Sequence, residues 1–265
     1  MRLKRLGGSM VALTLLALAG GVPAHAQGTP WRYGAWVQGG LGVPTSDVRD
    51  LPGAPSCLRE ENRMEAANGG DFYAGGELGW RFADLPLEIS ARLGIGLASS
   101  PFTAEESIGS ASDPTGSRSD VVVEYRTAVE RLELRLEPVV RWHAVSPLVV
   151  SGGLVAVLPL STTFDQSERL IAPEQATYLD GATERAIAAG SLDAAPWLGL
   201  VAGVGMEIPA GTVLLRPEVG GVFALGSPVD GVDWRPHELR IGLAVIVGST
   251  GESTPITPYL REEGR

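Results

Sequence analysis

Lysine is almost absent from this chain. Lys4 is the only one in 265 residues, so every other basic side chain is an arginine. Cysteine is nearly absent too. Cys57 stands alone and cannot form an internal disulfide, which excludes the stapled scaffold common in small exported domains. No stretch past the first 26 residues keeps about 18 consecutive apolar residues together, which excludes a membrane helix there. Basic excess is missing as well. The formal charge is −10, and an acidic chain does not suit nucleic acid or an anionic lipid surface.

What the chain has begins with a targeting segment. MRLKRLGGSMVALTLLALAGGVPAHAQ carries Arg2, Lys4 and Arg5, then an apolar run from Met10 to Ala19, then Ala24-His25-Ala26. This pattern predicts a secretory signal over residues 1–26, cut after Ala26; the run is too short for an anchor, and Gly20, Gly21 and Pro23 break it. Losing three basic residues and no acid takes the charge from −10 to −13. Export without disulfides points to another stabilising environment. Thirty-five glycines and nineteen prolines favour turns and strands, and the combination points to a β-barrel over 27–250 with a short tail, 251–265.

Eight segments alternate with period two. Trp31, Tyr33, Ala35, Val37 and Leu41 share one face of the first, against Arg32, Trp36 and Gln38. Phe72, Leu78, Trp80 and Phe82 alternate with Asp71, Tyr73, Glu77 and Arg81; Leu87 to Leu97 alternate with Glu88, Ser90 and Arg92. In the fourth, Leu132, Leu134, Leu136, Val140 and Trp142 oppose Glu133, Arg135, Glu137 and Arg141. Before Glu130 the apolar phase reverses, with Val123, Tyr125, Thr127 and Val129 on the apolar side, which predicts a bulge near Glu130-Arg131. The last four segments follow the same rule and place Glu207, Arg216, Glu218, Glu238 and Arg240 on their polar faces. Short connections (83–86, 144–147, 209–212) alternate with long ones at roughly 44–70, 99–120, 162–195 and 226–236. That asymmetry predicts an all-β, eight-stranded antiparallel up-and-down transmembrane barrel, with periplasmic turns and termini and four extracellular loops.

The polar faces hold matched charge. Arg32, Arg81, Arg92, Arg135, Arg141, Arg216 and Arg240 stand against Glu77, Glu88, Glu133, Glu137, Glu207, Glu218 and Glu238. Arginine forks grip carboxylates bidentately, so the set reads as a lumen ion-pair network. Eight strands leave an interior just wide enough for side chains to fill, which predicts a plugged lumen. Trp31, Tyr33, Trp80, Phe82 and Trp142 lie on the apolar face at the short-turn end, as a membrane girdle does. Phe72, Tyr125 and Phe223 mark a sparser girdle at the other end, and Phe164 is read as a further interfacial ring. The remaining acidity falls in the long loops, read as a solvated acidic cap with helical character in TERAIAAG.

The opening WVQGGLGV, the hairpin GGELGWRFADLPLEISARLGIG, the run LELRLEPVVRWHAVSPLVVSGGL with FDQSERL, and the closing WRPHELRIGLAV carry a resemblance. Together with the signal segment they resemble the small outer-membrane β-barrel proteins, porin-family or outer-membrane beta-barrel domain proteins of the outer-membrane protein A and X architecture. The resemblance implies an outer-membrane location and usually no enzyme activity. The chain departs from it at the end of the last strand, Val247-Gly248, where an aromatic is usual.

Catalytic and metal chemistry finds little support. His237 has no serine two residues on, as a lipid A deacylase site would require, and Ser227 is the nearest candidate; His143 with Ser146 lies on the turn side. Asp165, Glu168, Glu174 and Asp180 follow no calcium-loop spacing. No catalytic residue, cofactor or metal ligand is therefore assigned. The expected partners are outer-membrane lipid and an extracellular partner reached through 44–70 and 162–195, for a monomeric structural or surface-interaction protein. A small passive channel and a lipid A-modifying barrel enzyme are the competing readings.

Overall fold

The computed structural model describes residues 30–48, 51–52, 62–112, 116 and 118–247. The expected signal segment (1–26), Cys57 and the expected tail (251–265) lie outside these residues. Eight strands form the frame: β1 (Trp31–Gly42), β2 (Gly69–Arg81), β3 (Leu87–Ser112), β4 (Arg118–Val145), β5 (Leu148–Ala172), β6 (Trp197–Met206), β7 (Val213–Ala224) and β8 (Glu238–Val247). Each pairs antiparallel with the next, and β1 pairs with β8 from Tyr33↔Val247 to Gly42↔Glu238, closing the ring. No helix long and apolar enough to cross a membrane occurs among the described residues. The turn after Ala210 uses Gly211 at φ +68°, a left-handed conformation that glycine adopts without a Cβ penalty.

The alternation places the large aliphatics outside. Leu78, Leu93, Ile95, Leu97, Leu136, Leu154, Val219, Ile241 and Leu243 are all exposed, while Arg135, Arg141, Arg216, Glu88, Glu133 and Glu137 are all buried. Within the belt this is a barrel turned inside out, with a surface suited to hydrocarbon and unsuited to water. On β4 the apolar outward run extends from Leu132 to Trp142. At about 3.4 Å per residue and a tilt of about 40°, it stands about 26 Å tall, close to the ~25 Å band of membrane barrels.

Two of the glycines in this wall have a steric reason. A Cβ on Gly94 would lie 2.5 Å from the Trp36 ring, and one on Gly96 would lie 2.2 Å from the Tyr73 ring. Both aromatics point into the lumen and lie across the neighbouring strand, so only glycine fits beneath them.

Several expectations are corrected above the belt. Residues 99–120 and 162–195 are mostly strand and not open loop. β3, β4 and β5 run for 26, 28 and 25 residues, against the 9–11 or so that a crossing requires. TERAIAAG is not helical: Glu184–Ser191 is a strand that pairs with β5 from Arg169↔Glu184 to Thr163↔Ser191. The break in phase is on β5 and not on β4. β4 keeps an unbroken register with β3 past Glu130, whereas the β4–β5 register slips between Leu132↔Ser161 and Glu133↔Pro159.

Val123, Tyr125, Thr127 and Val129 consequently face inward on the same side as Arg131 and Glu133, and Phe164 faces inward from β5. Tyr125 and Phe164 are buried and belong to no girdle. The reason is a change of environment. Above the belt the outside meets water and the inside is filled by chain, so the apolar face moves inward as in a soluble barrel.

The filling is the cap. Thr45–Asp47 pairs with Asp233–Arg235 in a separate ribbon, Glu65–Ala66 pairs with β3, and Val48 bridges Met64. Val48, Leu51, Met64, Phe102, Val123, Tyr125, Val129, Phe164, Leu192, Val229 and Trp234 form one buried apolar cluster. The interior of the cap is therefore a packed apolar core. The boundary between lumen and cap runs through Gly40, Asp71, Ala98, Arg131 and Thr162, successive cross-strand partners from β1 to β5.

Candidate functional site: the charged lumen and its cap

Alternation along the chain points the fourteen predicted lumen residues inward, and the ring brings them together from six strands and from Glu207 just past the end of β6. Toward the turn side, Arg216 of β7 is the hub. It lies 3.0 Å from Glu77, 3.4 Å from Glu88, 2.7 Å from Glu207 and 3.8 Å from Glu218. Arg141 holds Glu77 at 2.8 Å and Glu88 at 3.0 Å, and also donates to Ser90 Oγ. Arg32 holds Glu88 at 3.0 Å and Glu207 at 2.7 Å; Arg92 holds Glu77 at 2.7 Å and Glu218 at 2.6 Å. Arg81 sits at the mouth with 40% of its side chain exposed and lies 3.7 Å from Glu207.

A second group lies nearer the cap. Arg135 donates to both oxygens of Glu238, at 2.9 and 2.7 Å, and its guanidinium lies 3.7 Å over the Tyr73 ring. Arg240 grips both oxygens of Glu137 at 2.6 and 3.2 Å. Tyr73 donates its hydroxyl to Glu133 at 2.5 Å. Bidentate geometry of this kind is what makes arginine fit and lysine not.

Sequence parity misses Arg131 and His143. Arg131 was placed at the expected bulge, yet it is buried, lies 2.8 Å from Glu133, and stacks 4.7 Å from the Trp234 ring. Trp234 is 0% exposed and meets Phe102 edge-on at 5.2 Å. Its role had no sequence signal, because it sits in a short segment of a long connection. A second apolar patch, Val155, Val157, Trp197, Val201, Val222 and Ala224, lines the β5–β7 side of the lumen.

The girdle residues divide by exposure. Trp31, Trp80 and Trp142 stand outward and exposed, with Trp31 and Trp80 as cross-strand partners whose rings meet edge-on at 4.8 Å. Tyr33 and Phe82 are half-buried. Phe72 and Phe223 are exposed on the outer surface at the other end.

The other chemical candidates also have partners in the structure. His143 lies 3.5 Å from Glu88 and 3.7 Å from Glu207, and the three offer ligand atoms within 4.8 Å of one another. Arg32 and Arg216 pair with both of these carboxylates, so a metal ion here would compete with two guanidinium groups; the trio is joined to the ion-pair network. His237 accepts the Ala224 N–H at Nδ1, 3.2 Å away, while Ser227 Oγ donates to the Val229 carbonyl at 2.8 Å. Arg185 stacks 3.4 Å over Tyr178 in the outer connection, and Asp180 accepts the Ala182 N–H at 3.1 Å.

A closed antiparallel ring with charge inside and an aliphatic belt outside is the architecture of a membrane β-barrel. No family model matches the chain, and no curated protein matches it. Among solved structures it is similar to the crystal structure of Neisserial surface protein A, at 13% identity and TM-score 0.29, over 81% of this chain and 96% of that one. It is also similar to the outer membrane protein OprG from Pseudomonas aeruginosa, at 16% identity and TM-score 0.31, over 83% of this chain and 96% of that one. Scores this low carry no argument, and the class rests on the pairing, the belt and the lumen described above.

Proposed function

We propose that the chain is an outer-membrane β-barrel protein with a sealed lumen, which acts as a structural or surface-interaction protein and not as a pore. The observation that carries the reading is the double closure. A buried ion-pair network fills the lumen, and an apolar cap centred on Trp234 covers its long-loop end. Ions crossing this path would have to break several desolvated pairs and a packed core. The outer membrane is the location that fits a strand-built span behind a signal segment, with turns and termini on the periplasmic side. Catalysis is not part of the reading: His237 and Ser227 each bond to backbone.

Outside, the protein offers the tall β3–β4–β5 wall and the connections at 44–70 and 162–195 to a partner. The porin-family and outer-membrane protein A and X resemblance belongs to this same reading. Planar-bilayer recording of the purified monomer tests it: the expected trace is flat across the physiological voltage range. Steady ion flux would overturn the sealed lumen and establish the small passive channel, and lipid A of altered mass on expression would establish the enzyme.

A further inference from the structure

The lumen pairs fall into two groups. One contains Arg32, Arg81, Arg92, Arg141 and Arg216 with Glu77, Glu88, Glu207 and Glu218; the other contains Arg135 and Arg240 with Glu137 and Glu238, and Tyr73 links it to the Arg131–Glu133 pair. Among the described residues no ion pair within 4.0 Å joins them. Where they approach, a cavity of about 20 Å³ lies between Gln38, Arg92, Ser151, Glu218 and Arg240. One water needs roughly 10–15 Å³ of such space and two to four polar partners, so the volume fits a single water or a single small ion.

Two observations choose between these. Gln38 is 4% exposed and its Nε2 has no hydrogen-bond partner, so the occupant must accept a hydrogen bond. The charges around the cavity are already matched: Arg92 holds Glu77 and Glu218 at 2.7 and 2.6 Å, and Arg240 holds Glu137 at 2.6 Å. An ion would add an uncompensated charge to a set that is already paired. A cation would also leave the Gln38 amide N–H unsatisfied, and an anion would face the Glu218 carboxylate.

We infer that one ordered water occupies this cavity, accepting from Gln38 Nε2 and bridging Glu218 of the turn-side group to Arg240 of the cap-side group. The water makes two separate networks into one. It also gives Gln38 a role, since the residue faces inward from β1 between Tyr73 on β2 and Gly242 on β8 and has no charge partner of its own.

The test is a crystal structure of the full barrel at a resolution that shows ordered water, with a second crystal soaked in bromide. The expected result is one water peak about 3 Å from Gln38 Nε2 and no anomalous peak in the cavity. An empty cavity overturns the inference, and so does a bromide peak, which would make the site an anion site. Gln38→Leu keeps a similar volume without the amide and is expected to lose the water while the barrel still forms. A water that stays in the leucine variant overturns the assignment to Gln38.

Discussion

Removing Arg135 is the sharpest single perturbation of the lumen. Its side chain is fully buried, donates twice to Glu238 and lies over Tyr73. Arg135→Met leaves the Glu238 carboxylate, 3% exposed, without its counter-charge. Breaking one side of a buried pair costs about 3–5 kcal/mol, and the lost stacking adds about 0.5–2 kcal/mol. Arg135→Met/Glu238→Met removes both charges together. Replacement of a whole buried pair by apolar groups of similar volume is often neutral or stabilising, so the double variant is expected to recover most of the loss.

The assay is reversible urea unfolding of the barrel in lipid vesicles, comparing wild type, both single variants and the double. A midpoint shift with unchanged slope isolates stability from any change in the surface exposed. The reasoning fails if Arg135→Met costs under about 1 kcal/mol, because the pair would then be solvated. It also fails if the double variant is as unstable as the two singles added together, because the residues would then act independently.

Further outcomes follow from the belt, the glycines and the cap. Ile241→Arg puts a guanidinium on the outer surface of β8 and is expected to cost about 2–4 kcal/mol in lipid if the site lies near the bilayer midplane; an unchanged urea midpoint would argue against a hydrocarbon contact. Gly96→Ala drives a methyl into the Tyr73 ring and is expected to lower the yield of heat-modifiable barrel, with a cost of about 1–3 kcal/mol. Trp234→Ala is expected to loosen the cap by about 3–5 kcal/mol; hydrogen exchange should rise at 45–48 and 233–235 while β6 and β8 stay protected, and unchanged protection at the ribbon would refute a cap held by Trp234. Deleting 166–190 should still leave a folded barrel but expose the cap core to protease, because Ile187 and Ala188 pack against that core; failure to assemble would show that the β5 extension is structural for the barrel itself.

How much of this was legible depended on height. In the belt, period-two alternation assigned faces correctly from Trp31 to Val247, because each strand there has hydrocarbon on one side and packed charge on the other. The charge set was legible for the same reason. Above Leu132 the reading broke, because apolar no longer meant outward. Val123, Tyr125, Thr127 and Val129 face in, and the reversal looked like a bulge when it was a change of surroundings. Arg131 was misplaced with them. The slip on β5 near Leu160 left no signal, since Leu158, Leu160 and Ser161 are all exposed. Trp234 needed three dimensions, because the partners that bury it come from β3, β4 and the first connection.

The reversal on β4 also fixes how deep the barrel sits. Glu130 faces outward directly above Leu132, and Trp142 faces outward at the far end of the same apolar run. Sinking the molecule by one rung, about 7 Å along the strand, would carry Glu130 into hydrocarbon. Raising it would lift Leu132 into water and pull Trp142 from the headgroup level. The chain therefore carries its own depth gauge: two residues apart, its outer surface changes from one solvent to another, and vertical drift is resisted in both directions without any contact to a neighbouring protein.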